Sequence, residues 1–186
     1  AFKGKTGAFV VMDPNNGEVL AMHSQPSFDP TEMSKGLTQK RWEELSNDLA
    51  HPLRNKTIQD HYSPGSTFKV IPAIAGLAEG VITPETKIHC PGTFQFGRRS
   101  YKCWMFRKGG HGTVDLKAAI QRSCDVYFYK VGLKVGIEKL AYYSNLFGLG
   151  SKTMIDLPQE VPGLVPTPEW KEKRFGVPWQ DGETVS

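Results

Sequence analysis

The sequence has no long apolar run. Among its 186 residues, no stretch approaches the roughly 18 apolar residues that a membrane-spanning helix needs. The first five residues, Ala1 to Lys5, lack the apolar core of a signal peptide. Internal repeats and low-complexity segments are also missing, which argues against solenoid and disordered architectures. The length predicts one globular domain, or part of one.

Neither sign of charge predominates strongly. The chain has 23 Lys and Arg residues against 19 Asp and Glu residues, a formal charge of +4. The basic residues are scattered, and clusters such as Lys171 to Arg174 are short. Because nucleic-acid-binding domains carry a dense basic face, this composition predicts no nucleic-acid partner.

Apolar patterning and turn signals predict a hairpin at the start of the chain. Residues 7–13 and 18–23 are predicted to be its strands, joined by a turn whose Asn-Gly pair favours positive φ. Residues 25–62 are polar and interrupted by prolines, and are predicted to be an ordered excursion. Within them lies one amphipathic stretch with apolar residues at helical spacing: Trp42, Leu45 and Leu49.

Helical periodicity dominates the remainder. A mostly buried helix is predicted from Ser66 to Glu79, with Pro72 weakening its second turn and Gly80 ending it. Residues 83–112 are loop-rich, with short strand-like pieces and few apolar side chains. The tail from Pro158 is predicted to be extended or looped, because prolines punctuate it. Three short helices are predicted in between: Asp115–Arg122, Cys124–Leu133 and Ile137–Phe147.

Ser66 and Lys69 form the first pattern with chemical meaning. Positions i and i+3 share one face of a helix, so the hydroxyl and the amine can meet. A serine hydroxyl becomes a good nucleophile when a neighbouring base takes its proton, and a desolvated lysine can be that base. Alone, a Ser-x-x-Lys pattern is also typical of solvated helix caps.

A second serine motif, Ser123-Cys124-Asp125, lies between two predicted helices. By itself the triplet is typical of a helix N-cap, with Ser123 bonding a backbone amide. Ser-x-x-Lys followed by a Ser-x-Asn type element is part of the signature of penicillin-binding proteins and class A β-lactamases. A helical layer can return Ser123 to the first site.

Further motifs extend this likeness along nearly the whole chain. Three features of the chain resemble the elongation-type branch, penicillin-binding protein 2. They are Asp125, where many relatives carry asparagine, and the segments Cys90-Pro91-Gly92 and Gly110-His111-Gly112. The chain resembles class B penicillin-binding proteins in these segments: Val11 to Asp13, Gly17 to Met22, Pro26 to Pro30, Pro52 to Asn55, Pro64 to Lys69, Ser123 to Tyr129, Phe147 to Gly150 and Ile155 to Pro158.

The resemblance implies a fold and an extent. The expected fold class is α/β of the serine penicillin-recognising type, with helices against a mainly antiparallel sheet. Residues 1–186 are then the N-terminal portion of a single transpeptidase domain, with the first strands and the helical lobe. The later strands and the family's Lys-Thr-Gly motif are expected beyond Ser186, so the fragment alone should be a poor catalyst. Lys5-Thr6-Gly7 precedes the first strand and the serine, which predicts a chance match.

The resemblance also implies residue roles. Ser66 is expected to be the acylated nucleophile, Lys69 its general base and Ser123 a proton relay towards the leaving group. The backbone amide of Ser66 would supply half of the oxyanion hole. Asp125 occupies the position of the family asparagine that contacts the lysine and the substrate amide. Its carboxylate would favour protonated Lys69, which opposes the base role, so the part played by Asp125 stays open.

The chain has only three cysteines, an odd number, so Cys90, Cys103 and Cys124 cannot all pair with one another. With His111 they supply the ligand count and chemistry of a closed tetrahedral zinc site, although their spacings fit no standard zinc finger. A zinc ion would cross-link a segment with few apolar residues, and elongation-type relatives resemble this in carrying a metal site beside the second serine motif. A Cys90–Cys103 disulfide with Cys124 buried, three free thiols, and His89 in place of one ligand stay open.

The implied reaction is D,D-transpeptidation of peptidoglycan. Ser66 would attack the penultimate D-Ala carbonyl of a stem peptide, release the terminal D-Ala and pass the acyl group to a neighbouring stem. Implied partners are stem peptides, the lipid-linked precursor, β-lactams, an elongation glycosyltransferase and cell-shape scaffold proteins. The implied place is the periplasmic face of the inner membrane, with an anchoring N-terminal helix outside this chain. A β-lactam-hydrolysing enzyme or sensor, and a non-catalytic zinc-stabilised cell-wall binding module, are the alternatives.

Overall fold

In the computed structural model, which describes residues 4–185, the chain forms two units. The first contains the chain up to Tyr62 together with Met154–Val161, and the second contains Ser63–Thr153 and the chain from Pro162 onward. Between residues 4 and 185, no helix combines the length and the apolar character that crossing a membrane requires.

The first unit begins with the predicted hairpin. Strand β1 (Gly7–Met12) pairs antiparallel with β2 (Val19–Gln25), and the register shifts between Val11 and Met12. Gly17 in the connecting turn has a φ of 80°, which glycine adopts without strain. Lys5 and Thr6 precede β1, as the sequence predicts.

Two short helices follow the hairpin. Asp29 caps α1 (Pro30–Ser34), and Thr38 caps α2 (Gln39–Asn47). Leu45 is buried, but Leu49 lies beyond the end of α2 and is 91% exposed. The placement of Leu49 on an apolar helix face is therefore wrong, because Asp48 takes an extended conformation and ends the helix.

The second unit begins with a change of helix type. A 3₁₀ turn, Gly65–Lys69, leads directly into α3 (Val70–Ala78). Pro72 is thereby the third residue of α3, in the first turn, where backbone N–H groups have no acceptor within the helix. The prediction that the α-helix begins near Ser66 and is weakened at Pro72 in its second turn is therefore wrong, because α3 begins only at Val70. Gly80, with a φ of 66°, follows the end of α3 as predicted.

Residues 83–114 form two small antiparallel pairs. Strand β3 (Ile88–Cys90) pairs with β6 (Gly112–Val114), and β4 (Thr93–Phe96) pairs with β5 (Arg99–Lys102). A 3₁₀ turn, Phe106–Lys108, follows β5. Gly110 has a φ of 84°, and a Cβ there would meet the Cys90 carbonyl oxygen at 2.2 Å, so only glycine fits.

Three helices complete the core of the second unit, each within two residues of its predicted bounds: α4 (Leu116–Gln121), α5 (Asp125–Val135) and α6 (Ile137–Leu146). Helix α5 is central, since Val126, Tyr127 and Val131 are fully buried and α5 packs on α3 and α6. This packing fixes the first residues of α5 against the start of α3.

Helix α7 (Pro168–Phe175) corrects the prediction of a wholly extended or looped tail. The Thr167 hydroxyl accepts a hydrogen bond from the Trp170 amide, and Pro168 is the first helical residue. Gly176, with a φ of 68°, ends the helix in the left-handed conformation. These are ordinary start and stop signals, and the many surrounding prolines obscured them. A last 3₁₀ turn spans Asp181–Thr184.

Candidate active site and metal cluster

The 3₁₀ turn brings the predicted nucleophile and base together. Such a helix has three residues per turn, so side chains at i and i+3 lie one above the other. The Nζ atom of Lys69 is 3.2 Å from the Oγ atom of Ser66. Ser66 is exposed, whereas the Lys69 side chain is only 14% exposed. An accessible hydroxyl therefore lies beside an amine that is largely withdrawn from water.

Ser123 lies beside both groups. Its Oγ atom is 2.8 Å from the Oγ atom of Ser66 and 2.8 Å from Nζ of Lys69. Lys69 also donates to the Ser123 carbonyl oxygen at 3.0 Å. Ser123 is not the N-cap residue of α5, a position that Cys124 occupies, so the N-cap interpretation of Ser123 is wrong. The three side chains instead form one hydrogen-bonded chain.

The backbone of Ser123 is unusual. Its φ of 51° lies in the left-handed region, which is unfavourable for a residue with a Cβ atom. Strain of this kind persists only where neighbouring contacts impose it, and it is concentrated at functional sites. The conformation turns the chain from α4 into α5 and is consistent with a functional role for Ser123.

Asp125, the first residue of α5, forms an ion pair with Lys69, with 2.5 Å between Oδ1 and Nζ. Its Oδ2 atom accepts a hydrogen bond of 3.0 Å from the backbone N–H of Trp104. The sequence expectation that Asp125 contacts the lysine is therefore met in the geometry. Four oxygen atoms compete for the three N–H bonds of that ammonium group, so the lysine keeps hydrogen-bond partners after losing a proton.

Sequence reasoning missed Trp104. Besides the backbone contact to Asp125, its indole N–H donates to the Arg122 carbonyl oxygen at 3.0 Å. The side chain is 61% exposed, and its ring meets the His111 ring edge-on at a centroid distance of 5.4 Å. Nothing in the sequence separates it from the other tryptophans except its position directly after Cys103.

The four predicted metal ligands converge. The ligand atoms of Cys90, Cys103, His111 and Cys124 all lie within 4.8 Å of one another. The Nδ1 atom of His111 is 3.7 Å from the Cys90 sulfur and 3.4 Å from the Cys103 sulfur. A tetrahedral zinc ion with Zn–S bonds of about 2.3 Å places its ligand atoms roughly 3.5–3.8 Å apart. The donor set therefore fits zinc in chemistry, and the two His111–sulfur distances are close to the spacing of such a site.

The cluster is buried, and one of its polar atoms has no hydrogen-bond partner among the described residues. All three cysteines are fully buried free thiols, and Nε2 of His111 is buried with no hydrogen-bond partner among the described residues. Burial raises the pKa of the Cys103 thiol, and it raises the pKa of the Cys124 thiol to about 12. A cation among them would favour thiolates and oppose this effect of burial.

The structure supports neither His89 as a ligand nor a Cys90–Cys103 disulfide. His89 is exposed and lies outside the cluster. Its Nδ1 atom is 3.3 Å from the Thr113 hydroxyl oxygen. Because successive strand residues face opposite sides, β3 turns Cys90 inward and His89 outward, so His89 as a replacement ligand is wrong. The Cys90–Cys103 disulfide is not formed, since both residues are free.

Comparison with known proteins identifies the family of the chain. The family described as penicillin binding protein transpeptidase domain matches residues 7–180. The chain is 41% identical over 183 residues to the peptidoglycan D,D-transpeptidase MrdA of Acinetobacter baumannii. That match covers 98% of this chain but 27% of the relative, so the chain spans less than a third of its length.

Two solved structures are similar over nearly the whole chain. One is the complex between penicillin-binding protein PBP2 and MreC from Helicobacter pylori, with a TM-score of 0.92, 39% identity, and coverage of 99% of this chain and 34% of that chain. The other is described as the structural coordination of polymerization and crosslinking by a peptidoglycan synthase complex, with a TM-score of 0.85, 36% identity, and coverage of 97% and 30%. The predicted α/β penicillin-recognising fold is confirmed. The chain belongs to the penicillin-binding protein transpeptidase family, in the branch that contains PBP2 and MrdA.

Proposed function

We propose that this chain carries the nucleophile of a peptidoglycan D,D-transpeptidase, which cross-links stem peptides through a serine acyl-enzyme and is acylated by β-lactams. The observation that carries the proposal is the hydrogen-bonded chain of Ser66, Ser123 and Lys69, with Asp125 paired to the lysine. The activity in the name of the Acinetobacter relative supports it. In this proposal residues 1–186 are the N-terminal portion of one transpeptidase domain, and the Lys-Thr-Gly motif lies outside them.

Acylation is the first half of the reaction. Lys69, as the free amine, takes the Ser66 proton while the Ser66 oxygen attacks the carbonyl carbon of the penultimate D-Ala. The backbone amide of Ser66 stabilises the negative charge that develops on the carbonyl oxygen. As the bond to the terminal D-Ala breaks, its nitrogen receives a proton through Ser123, whose Oγ atom is 2.8 Å from Lys69.

Transfer completes the cycle. An amine of a neighbouring stem attacks the Ser66 ester, and its proton returns along the same groups until the Ser66 hydroxyl is restored. A β-lactam follows the acylation step only, because its opened ring keeps the leaving nitrogen attached to the acyl group. A long-lived adduct is therefore expected.

The proposal is tested in the full-length protein with a pentapeptide stem, an acceptor amine and a labelled penicillin. We expect release of D-Ala, a cross-linked product by mass spectrometry, and a slowly decaying penicillin adduct. Rapid turnover of penicillin would favour the β-lactam-hydrolysing alternative. A protein that forms neither an adduct nor D-Ala would favour the non-catalytic binding module.

We also propose that Cys90, Cys103, His111 and Cys124 hold one structural zinc ion. Four protein ligands would leave no coordination position for water, so the ion would act as a cross-link. Residues 83–112 have few apolar side chains to hold them in place, and Cys124 lies between Ser123 and Asp125. Zinc would thereby attach this segment to the turn that carries two active-site residues.

The zinc proposal makes a stability prediction. Elemental analysis should find about one zinc per chain, and Cys103→Ser should lower the melting temperature by about 10 °C or more, because metal binding contributes directly to folding free energy. His89→Ser, which alters an exposed residue outside the cluster, is the matched control and should change neither quantity. A metal-free folded protein with three titratable thiols, or a Cys90–Cys103 disulfide, would reject the site.

The similar proteins support a proposal about partners. The Helicobacter neighbour forms a complex with MreC, and another neighbour belongs to a peptidoglycan synthase complex. We infer that this protein works with a cell-shape scaffold protein and a glycosyltransferase at the periplasmic face of the inner membrane. Stem peptides and their lipid-linked precursor are its expected substrates.

A further inference from the structure

Trp104 contacts the Ser123 turn on both sides. Its indole N–H donates to the carbonyl oxygen of Arg122, and its backbone N–H donates to Oδ2 of Asp125, each at 3.0 Å. Arg122 directly precedes Ser123, and Asp125 lies two positions after it. A single residue therefore fixes both the entry into the turn and the exit from it.

The indole bond acts on the peptide plane that determines the Ser123 conformation. The peptide plane between Arg122 and Ser123 contains the Arg122 carbonyl and the Ser123 amide. Rotation of this plane about the N–Cα bond of Ser123 changes φ of Ser123. The Ser123 amide donates to the Ile120 carbonyl at 3.0 Å, and the Arg122 carbonyl accepts from Trp104. Helix α4 thus holds one side of the plane, and Trp104 holds the other.

This plane also determines where the Ser123 hydroxyl lies. With a φ of 51°, the Oγ atom is 2.8 Å from both Ser66 and Lys69. A return of Ser123 to negative φ would move its hydroxyl out of hydrogen-bonding distance of Ser66 and Lys69. Because catalytic steps are sensitive to displacements of about 1 Å, the rate of acylation should depend on the plane far more than binding does.

We propose that Trp104 is a positioning residue, whose indole N–H holds Ser123 in its strained conformation for proton transfer. The inference rests on the acyl-transfer function proposed above. An exposed aromatic ring beside reacting groups could instead contact the ligand directly. The two roles affect different constants: positioning changes the acylation rate, and ligand contact changes the dissociation constant.

The test variant is Trp104→Phe in the full-length protein. It removes the indole N–H but keeps an aromatic ring and the backbone N–H that bonds Asp125. Single-turnover acylation by a fluorescent penicillin, measured over a range of concentrations, separates the rate constant from the dissociation constant. We expect the rate constant to fall about tenfold, the scale of one lost hydrogen bond, and the dissociation constant to change by less than about twofold.

Two further variants serve as controls. Trp42→Phe alters an exposed tryptophan on α2 and should leave both constants unchanged. Trp104→His keeps a ring N–H donor and should recover part of the lost rate. An unchanged acylation rate constant in Trp104→Phe overturns the inference, whether or not the dissociation constant rises. If the unaltered protein forms no adduct at Ser66, the proposed function fails instead.

A measurement on the unaltered protein does not depend on how the variants fold. The Trp104 indole proton, observed by ¹⁵N-resolved NMR, should exchange with water more slowly than that of Trp42, because it is hydrogen-bonded although its ring is exposed. Equally fast exchange of the two protons would show that the Arg122 contact does not persist, and would overturn the inference.

Discussion

Replacing Ser66 with alanine is expected to abolish covalent labelling by penicillin, with a loss of acylation rate of about 10⁴-fold or more. The change removes one oxygen atom, so reversible binding of penicillin should remain nearly unaltered. Ser123 keeps its hydroxyl in the variant, but its strained backbone and its position beside Lys69 suit a relay and not the attacking group. Intact-mass spectrometry after incubation with penicillin measures the adduct directly.

The matched control for this variant is Ser63→Ala. Ser63 is an exposed serine three positions earlier in the chain, and its replacement should leave labelling at the level of the unaltered protein. An adduct that persists in Ser66→Ala at a comparable rate would show that another residue is the nucleophile.

Replacing Lys69 with alanine should slow acylation by about 10²- to 10⁴-fold, the usual contribution of a general base. Reversible binding should weaken much less, because the Lys69 side chain is only 14% exposed. The variant removes the group that contacts Ser66, Ser123 and Asp125 together, so proton transfer loses its acceptor. Stopped-flow acylation kinetics separate the two effects.

Lys69→Arg distinguishes a base from a fixed positive charge. Arginine can still pair with Asp125, but its guanidinium does not lose a proton in proteins. The Lys69→Arg variant should therefore be acylated nearly as slowly as Lys69→Ala. Lys87→Ala, which alters an exposed lysine on the surface, should be as fast as the unaltered protein. Rapid acylation by either Lys69 variant would exclude the base role.

The elements best predicted from sequence are those with a strong periodic signal and clear punctuation. Helices α4 to α6 have regularly spaced apolar residues, and Gly136 and Gly148 follow the ends of α5 and α6. The first hairpin follows from two apolar runs around an Asn-Gly turn. The Ser66–Lys69 pair was predictable because any helix with about three residues per turn aligns positions i and i+3.

The features that escaped prediction depend on contacts between distant parts of the chain. The positive φ of Ser123 has no sequence signal, since serine rarely adopts it without external contacts. The two Trp104 hydrogen bonds join the segment after β5 to the end of α4 and to the start of α5. One of them uses a backbone amide, which every residue except proline possesses. Spacing alone also could not show that β3 turns Cys90, and not His89, towards the other ligands.

The role of Asp125 becomes clearer from these contacts. Its two carboxylate oxygens are divided between the Lys69 ammonium group and the Trp104 amide. The second hydrogen bond shares the negative charge and fixes the carboxylate so that one oxygen faces the lysine. In the proposed mechanism Asp125 would thereby hold the Lys69 side chain beside Ser66.

The most direct test of the central proposal is to map where penicillin attaches to the unaltered full-length protein. After brief incubation with labelled penicillin and proteolysis, tandem mass spectrometry should find the adduct on Ser66, in the peptide that contains Pro64 to Lys69. The peptide that contains Ser123 should carry none. An adduct on Ser123 or on any other residue, or no adduct at all, would contradict the assignment of Ser66 as the nucleophile.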